Sequence, residues 1–146
     1  MNAKSLETKI LAPGYGIIVA GSVFENLVLH TNWFKLGGLF GAVWLCAGLV
    51  CLVFSRRELN KGQGYMLVES GLFSFSRNPA TAAHLLGVMP GLCLLLNTNI
   101  GILGIIYSLV LFFKHISAEE LELEDRFGEA YVAYRERVNR LIPGVF

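Results

Sequence analysis

Two long stretches of this chain contain no Asp, Glu, Lys or Arg: residues 36–55 and residues 78–113. The first would form a helix about 30 Å long, which matches the thickness of the hydrocarbon core of a bilayer. The second is too long for one such helix, and the turn-forming residues 97–99 (Asn-Thr-Asn) interrupt it. We therefore expect two helices within the second stretch and a further helix in the apolar segment near the N-terminus.

These patterns predict an all-α, polytopic membrane protein whose single domain covers residues 1–146. The expected membrane-spanning segments are residues 10–30, 36–55, 79–96 and 100–115. Composition agrees, because 54% of the residues are hydrophobic and only 16% are charged, against about 25% charged in a typical soluble domain. The polar residues Glu25, Asn26 and His30 fall near the end of the first span, where interfacial water would solvate them.

The basic residues predict the orientation of the spans. Eleven of the twelve Lys and Arg residues fall on one side of the predicted membrane, and only Lys35 falls on the other. The positive-inside rule then places both termini and the loop 56–78 in the cytoplasm, as expected for a bacterial inner-membrane protein. The net charge of +1 and the lack of a basic cluster give no indication of nucleic-acid binding.

Small residues predict how the spans pack. The segments Gly37-x-x-x-Gly41 and Gly87-x-x-x-Gly91 have the spacing that lets membrane helices approach closely. Pro90 removes a backbone donor in mid-helix, so we expect a kink there and a new partner for the freed carbonyl. The cysteines lack C-x-x-C spacing and are expected to be small buried residues rather than metal ligands: Cys46, Cys51 and Cys93.

After the last span, residues 117–146 are expected to form a cytoplasmic segment that contains an amphipathic helix. Such a helix either lies in the membrane interface or folds over the cytoplasmic ends of the spans. Its apolar residues recur at steps of three or four: Leu123, Phe127, Tyr131, Tyr134 and Val138.

Polar side chains flank the second charge-free stretch. The pair Glu119-Glu120 either begins a helix, with Ser117 and Glu120 as a capping box, or grips the amino group or ribose diol of a ligand. Arg77 either reaches lipid phosphates or clamps a carboxylate with its fork of donors. Because a hydrophobic hairpin separates these residues along the chain, they should meet at one membrane surface.

His84 falls about one and a half turns into the third predicted span. A histidine within a membrane usually faces the interior of the bundle or a wet cavity. His84 is therefore either a neutral, hydrogen-bonded core residue or a candidate proton acceptor, a role for which His115 and Glu120 are alternatives.

Two sequence motifs carry a resemblance to a known family. Gly71-Leu-Phe-Ser-Phe-Ser-Arg77-Asn78-Pro79 precedes the hairpin, and Glu119-Glu120, Phe127-Gly128-Glu-Ala-Tyr131-Val-Ala-Tyr134 and Arg140-Leu-Ile-Pro143 follow it. Their order and spacing resemble the integral-membrane isoprenylcysteine carboxyl methyltransferases and phospholipid methyltransferases. The resemblance extends from about residue 56 to the end of the chain, and Leu123, Val138 and Ala83 also match the family pattern. Leu72 and Thr81 stand where that pattern has proline and tyrosine.

The resemblance implies S-adenosylmethionine as methyl donor and a lipophilic acceptor, with a carboxylate, thiol or amine, that enters laterally from the bilayer to the cytoplasmic face. The catalytic candidates are Arg77, Glu120 and His84. The implied cofactor-binding residues are Gly71, Phe73, Arg77, Asn78, Pro79, Glu119, Glu120, Tyr131 and Tyr134.

Two other functions are compatible with the sequence. One is a small non-catalytic membrane protein of the same fold, which the Thr81 departure favours. The other is an NADPH-dependent reductase of the sterol type, whose C-terminal region has a similar R-x-P and tyrosine-rich ending but whose chains usually contain more spans.

Overall fold

The computed structural model describes residues 3–31, 37–62 and 65–142, and these contain helices and irregular segments but no strand. The predicted positions Lys35 and Pro143 lie outside the described residues. The α-helices are α1 (Ala3–Val23), α2 (Gly37–Lys61), α3 (Pro79–Ala83), α4 (Met89–Leu95), α5 (Gly101–Phe127) and α6 (Glu129–Arg137). A π turn, Phe24–Val28, continues α1. A second π turn, His84–Val88, joins α3 to α4 into one helix, Pro79–Leu95, which we call the third helix.

Three helical segments are long and apolar enough to cross a membrane: Glu7–Val28, Gly37–Lys61 and Gly101–Phe127. The third helix, Pro79–Leu95, is also apolar but shorter. The all-helical class expected from the sequence is therefore confirmed for the described residues, and the three apolar helices indicate a membrane protein.

The helix of the last predicted span, residues 100–115, extends beyond the apolar stretch, because α5 continues as one helix to Phe127. Phe112, Ile116 and Glu120 are spaced four residues apart and are all buried, so the same face of the helix remains packed beyond the apolar stretch. The carboxylate pair Glu119-Glu120 consequently lies inside a helix and not at its start.

Glycines bring α2 against the third helix, as predicted. A Cβ atom on Gly87 would lie 2.5 Å from the Cα of Gly48, and one on Gly91 would lie 2.6 Å from the backbone nitrogen of Leu45. Gly41 is similarly close to the backbone of this helix, with a Cβ position 2.9 Å from the Gly91 carbonyl oxygen. Larger side chains would force the two helices apart.

The expected distortion near Pro90 is present as the π turn His84–Val88. Proline blocks the carbonyl four residues before it, which here belongs to Leu86. The indole Nε1 of Trp44 on α2 donates a hydrogen bond of 2.8 Å to this Leu86 oxygen. The predicted new partner for the freed carbonyl is therefore a side chain of the neighbouring helix.

The solvated position predicted for Glu25 is wrong, since only 2% of this residue is exposed. Its carboxylate accepts hydrogen bonds from the Thr98 hydroxyl and, at 3.1 Å, from the backbone N–H of Ile100. These donors lie at the start of α5, where unpaired N–H groups and the helix dipole favour a negative charge. The turn predicted at residues 97–99 therefore also supplies the site that buries Glu25.

Only part of the prediction for the cysteines holds. Cys93 is buried in the core, whereas Cys46 and Cys51, both on α2, are exposed.

Candidate functional site

The two polar motifs meet at one end of the helical bundle, as predicted. The backbone N–H of Arg77 donates a hydrogen bond of 2.9 Å to the carbonyl of Asn139. The Asn78 side-chain amide and the Ser76 hydroxyl both donate to the carbonyl of Arg140, at 3.1 and 3.3 Å. The segment before the third helix is therefore fastened to the segment that follows α6.

Glu120 is the centre of an ion cluster formed by Arg77, Glu120 and Arg140, in which Glu120 and Arg77 are buried and the Arg140 side chain is 36% exposed. Its Oε1 atom lies 2.6 Å from Nη1 of Arg77 and accepts a hydrogen bond of 3.1 Å from Nε of Arg140. Its Oε2 atom accepts a 2.6 Å hydrogen bond from Nη2 of Arg140. Because Glu120 is only 4% exposed, this pairing is what makes a carboxylate tolerable there. The alternative of a capping box with Ser117 is excluded, since both residues lie within α5.

Arg77 does not extend to the lipid surface, because its side chain is only 8% exposed. Its Nε atom is buried and has no hydrogen-bond partner among the described residues. The cluster contains two guanidinium groups and one carboxylate, so its formal charge is positive. Glu119, which precedes Glu120 in the sequence, is half-buried. It does not take part in the ion pairs of the cluster.

The predicted aromatic residues form a lid over the motif 71–77. Tyr131, Tyr134 and Val138 are buried together, and Leu67, Leu123 and Phe127 pack against them. The hydroxyl of Tyr134 donates a hydrogen bond of 2.7 Å to the carbonyl of the buried residue Phe73. The C-terminal segment thus folds over the end of the bundle, the second of the two arrangements expected from its pattern.

This lid is not one continuous helix. Gly128 adopts a positive φ of 56°, which ends α5 and turns the chain into α6. The apolar stripe predicted along residues 123–138 is therefore divided between two helices that share one buried cluster.

Burial raises the pKa of both lid phenols above the ordinary value for tyrosine. For Tyr131 the negative charge of Glu120 acts in the same direction, and Arg77 opposes it. For Tyr134 the adjacent Tyr131 adds to the effect of burial. Both phenols therefore remain protonated at neutral pH and can donate hydrogen bonds, but they cannot serve as bases.

Gly71, a predicted cofactor-binding residue, has a structural role that the sequence did not reveal. It has a φ of 62°, and a Cβ atom there would lie 1.7 Å from Oε1 of Glu58. The other carboxylate oxygen of Glu58 accepts a 2.8 Å hydrogen bond from the backbone N–H of Leu72. The glycine thus allows Glu58, on α2, to hold the loop that leads to Arg77.

His84 does not belong to the ion cluster. Its Nδ1 lies 2.7 Å from the hydroxyl of Tyr15, and its Nε2 lies 3.5 Å from Oε1 of Glu7. Both partners belong to α1. All three residues line a cavity of about 560 Å³ between α1, α2 and the start of the third helix. Of the two predicted environments for His84, the cavity-facing one is present.

A second cavity, of about 400 Å³, lies between α2 and the third helix. Its walls are almost entirely apolar and include Trp44, Phe75 and Leu86. Leu72, which stands at one of the two positions where the sequence departs from the resembled pattern, is part of this wall, and so is the predicted site residue Pro79. We call this cavity the apolar groove. Thr81, the other departure, is buried.

No family model, no curated protein and no solved structure matches this chain. The functional assignment therefore depends on the arrangement of the side chains themselves.

Proposed function

We propose that this protein is an S-adenosylmethionine-dependent methyltransferase of the membrane that acts on a lipophilic acceptor at the cytoplasmic face. In this proposal the third helix crosses the bilayer with the other three, and both termini are cytoplasmic. The observation that carries the proposal is the meeting of the Arg77 motif with Arg140 in one ion cluster around the buried Glu120.

The charge of the ion cluster suits S-adenosylmethionine, the proposed methyl donor. Arg77 has an unused buried Nε donor, and the cluster has an excess positive charge, so a ligand carboxylate is favoured there. Glu119 lies outside the arginine pairing and is the carboxylate we assign to the amino group or ribose of the ligand. Methyl transfer from a sulfonium removes charge, so the main tasks of the protein are alignment and exclusion of water. The buried tyrosine lid serves the second task.

The apolar groove suits the lipophilic methyl acceptor. It faces outward between two helices, and the groove residues Ser76 and Pro79 flank Arg77 and Asn78 in the chain. An apolar molecule could enter from the bilayer and place a reactive group near the ion cluster, without passing through water.

One observation favours a second candidate, a non-catalytic membrane protein. Both oxygens of Glu120 are already occupied by arginine donors, so the cluster can act as a latch that holds the C-terminal segment on the bundle. In that case the protein binds neither S-adenosylmethionine nor NADPH. Binding of NADPH alone would indicate the reductase.

Equilibrium binding of S-adenosylmethionine and NADPH to the purified protein separates these functions. We expect S-adenosylmethionine to bind and Glu119→Ala to weaken binding by about 1–3 kcal/mol, because a charge-assisted hydrogen bond is lost. Glu136→Ala is the matched control, since Glu136 is an exposed carboxylate on α6. Equal affinities for the wild type and Glu119→Ala would remove Glu119 from the site, and no binding to the wild type would reject the proposal.

Methyl transfer is tested with membranes that contain the protein and S-adenosylmethionine labelled in its methyl group. The label should enter the organic-extractable fraction, and Arg77→Lys should reduce this signal because an ammonium cannot reproduce the guanidinium fork. Label found only in water-soluble products would refute lateral entry of the acceptor.

A further inference from the structure

The apolar groove has two defined ends. Its lining residues extend from Trp44 to Cys51 on α2 and from Pro79 to Gly87 on the third helix. The two helices are antiparallel, because early residues of α2 contact late residues of the third helix. Cys51 and Pro79 therefore mark one end and Trp44 marks the other. At about 1.5 Å per residue, the groove follows α2 for about 10 Å between these ends.

The end marked by Pro79 adjoins the ion cluster. Ser76 and Leu141 both line the groove, and each is the chain neighbour of one cluster arginine, Arg77 or Arg140. The excess positive charge of the cluster favours an acidic head group at this end. None of the described residues that line the groove carries a charge, so the rest of the groove suits an apolar chain attached to that head group.

Trp44 closes the opposite end. Its indole Nε1 donates the 2.8 Å hydrogen bond to the carbonyl of Leu86, so the side chain reaches from α2 across to the other wall. The carbonyl is free to accept this bond because Pro90 has no N–H to donate to it. The hydrogen bond therefore holds the ring in place, where an unbonded side chain could rotate away from an entering ligand.

Small side chains form the walls between the two ends. They belong to both helices and leave room for a slender ligand: Ala47, Gly48, Cys51, Ala82, Ala83 and Gly87. The sequence indicated close packing of these helices but not the groove, because its closed end depends on a contact between residues that lie 42 positions apart.

We propose that Trp44 is a specificity-determining residue that limits the groove to about the first eight carbons of a single-chain acidic amphiphile. The inference rests on the proposed function, since the acidic head group then lies next to the proposed S-adenosylmethionine site. An extended chain gains about 1.2 Å per bond, so about eight carbons cover the roughly 10 Å between the ends. Beyond Trp44 the chain leaves the protein and continues in the bilayer.

Photolabelling locates the chain without requiring methyl transfer. We would place the wild-type protein in phosphatidylcholine nanodiscs and add hexadecanoic acid that carries a diazirine at the fourth, eighth or twelfth carbon. The three probes partition alike into the bilayer, and excess unlabelled hexadecanoic acid separates saturable labelling from contact with bulk lipid. With about 1.2 Å per bond, the eighth-carbon probe should give saturable adducts on Trp44 or Leu86. The fourth-carbon probe should give them nearer Cys51, and the twelfth-carbon probe should give none.

Two variants should move this boundary in opposite directions. Trp44→Ala opens the closed end, so labelling by the twelfth-carbon probe should become saturable. Ala47→Leu fills the groove about 4.5 Å nearer the ion cluster, so the eighth-carbon probe should lose its saturable adducts while the fourth-carbon probe keeps them. Val43→Ala is the matched control, because Val43 is exposed on α2 and lies outside the groove lining. It should be labelled like the wild type.

Saturable labelling of the wild type by the twelfth-carbon probe, or an unmoved boundary in both variants, would overturn the role of Trp44. Absence of saturable labelling with all three probes would overturn the proposal as a whole. The wild-type series does not involve the variants, so a folding defect in one of them leaves a test in place. Because S-adenosylmethionine is absent from this experiment and its binding is measured separately, failure of this proposal is distinguishable from failure of the methyltransferase function.

Discussion

Glu120 lies about two turns before the C-terminal end of α5, far from the helix N-terminus that would stabilise a carboxylate. Two arginines supply the charge that it needs. The same residue is therefore a ligand candidate and a structural anchor. Removing it would leave Arg77 buried beside a second cation with no counter-charge. Any loss of function in a Glu120 variant would then be difficult to separate from loss of fold. Glu119 is therefore the better probe of the proposed S-adenosylmethionine site.

We expect Glu120→Gln to lower the free energy of unfolding by about 3–5 kcal/mol, since breaking a buried ion pair leaves a buried charge uncompensated. The matched control is Glu124→Gln on the same helix, where the 2.7 Å pair with Arg135 is more than one-third exposed on both sides. This change should cost about 0–1 kcal/mol. Unfolding in a denaturing detergent would give both values. A similar loss of unfolding free energy at the two positions would show that the ion pairs of Glu120 with Arg77 and Arg140 do not form in solution.

At the scale of elements, α2 and the third helix pack closely at positions where both carry glycine. Gly48 and Gly87 bring the two backbones into contact, and Trp44 bridges to the carbonyl that Pro90 leaves unpaired. The apolar groove lies along this same pair, since Trp44, Gly48 and Gly87 all line it. Its shape therefore depends on how closely the helices approach.

Gly87→Ala should destabilise the protein by about 1–3 kcal/mol, because the new methyl group must displace the backbone of Gly48. Gly16→Ala is the matched control, since a Cβ atom at Gly16 meets nothing within 4 Å. That control should be neutral or raise stability by up to about 1 kcal/mol through helix propensity. Thermal unfolding measured in one detergent compares them, and equal melting temperatures would contradict the close contact.

The sequence predicted the helices well because the length of an apolar stretch and its lack of charge, both local properties, determine where a membrane helix forms. It predicted the meeting of Arg77 with Glu120 for the same reason, since a hairpin must bring its two ends together. It failed where a residue depends on distant donors. Glu25 is buried only because Thr98 and Ile100, more than 70 residues later, present donors to it. Glu7 and Tyr15 meet His84 across 69 or more residues, which no local pattern reports.

At the scale of the whole molecule, the ion cluster and the cavity lined by His84 lie at the same end, where α1 begins, α2 ends and α5 meets α6. The proposed orientation places this end in the cytoplasm. The opposite end contains the Glu25 network and the turn before Gly101. His30 is exposed at that end, and Tyr65 is exposed at the first.

This orientation predicts a labelling pattern in a variant from which the three native cysteines have been removed. A membrane-impermeant thiol reagent added outside intact cells should label His30→Cys but not Tyr65→Cys, and both should be labelled after the membrane is opened. Thr98, although it lies in the same outer turn, is fully buried and is unsuitable as a probe. Labelling of Tyr65→Cys alone in intact cells would reverse the proposed orientation.

The third helix is shorter than its neighbours, and this has a consequence for the surrounding lipid. Pro79–Leu95 contains 17 residues and is about 26 Å long, whereas a hydrocarbon core is about 30 Å thick. Such hydrophobic mismatch is relieved when the adjacent bilayer thins, at a modest cost per ångström. With four helices crossing the membrane, the thinned lipid would lie beside the apolar groove. Head groups there would approach the ion cluster more closely than elsewhere around the protein, so the membrane itself would help to present the acceptor.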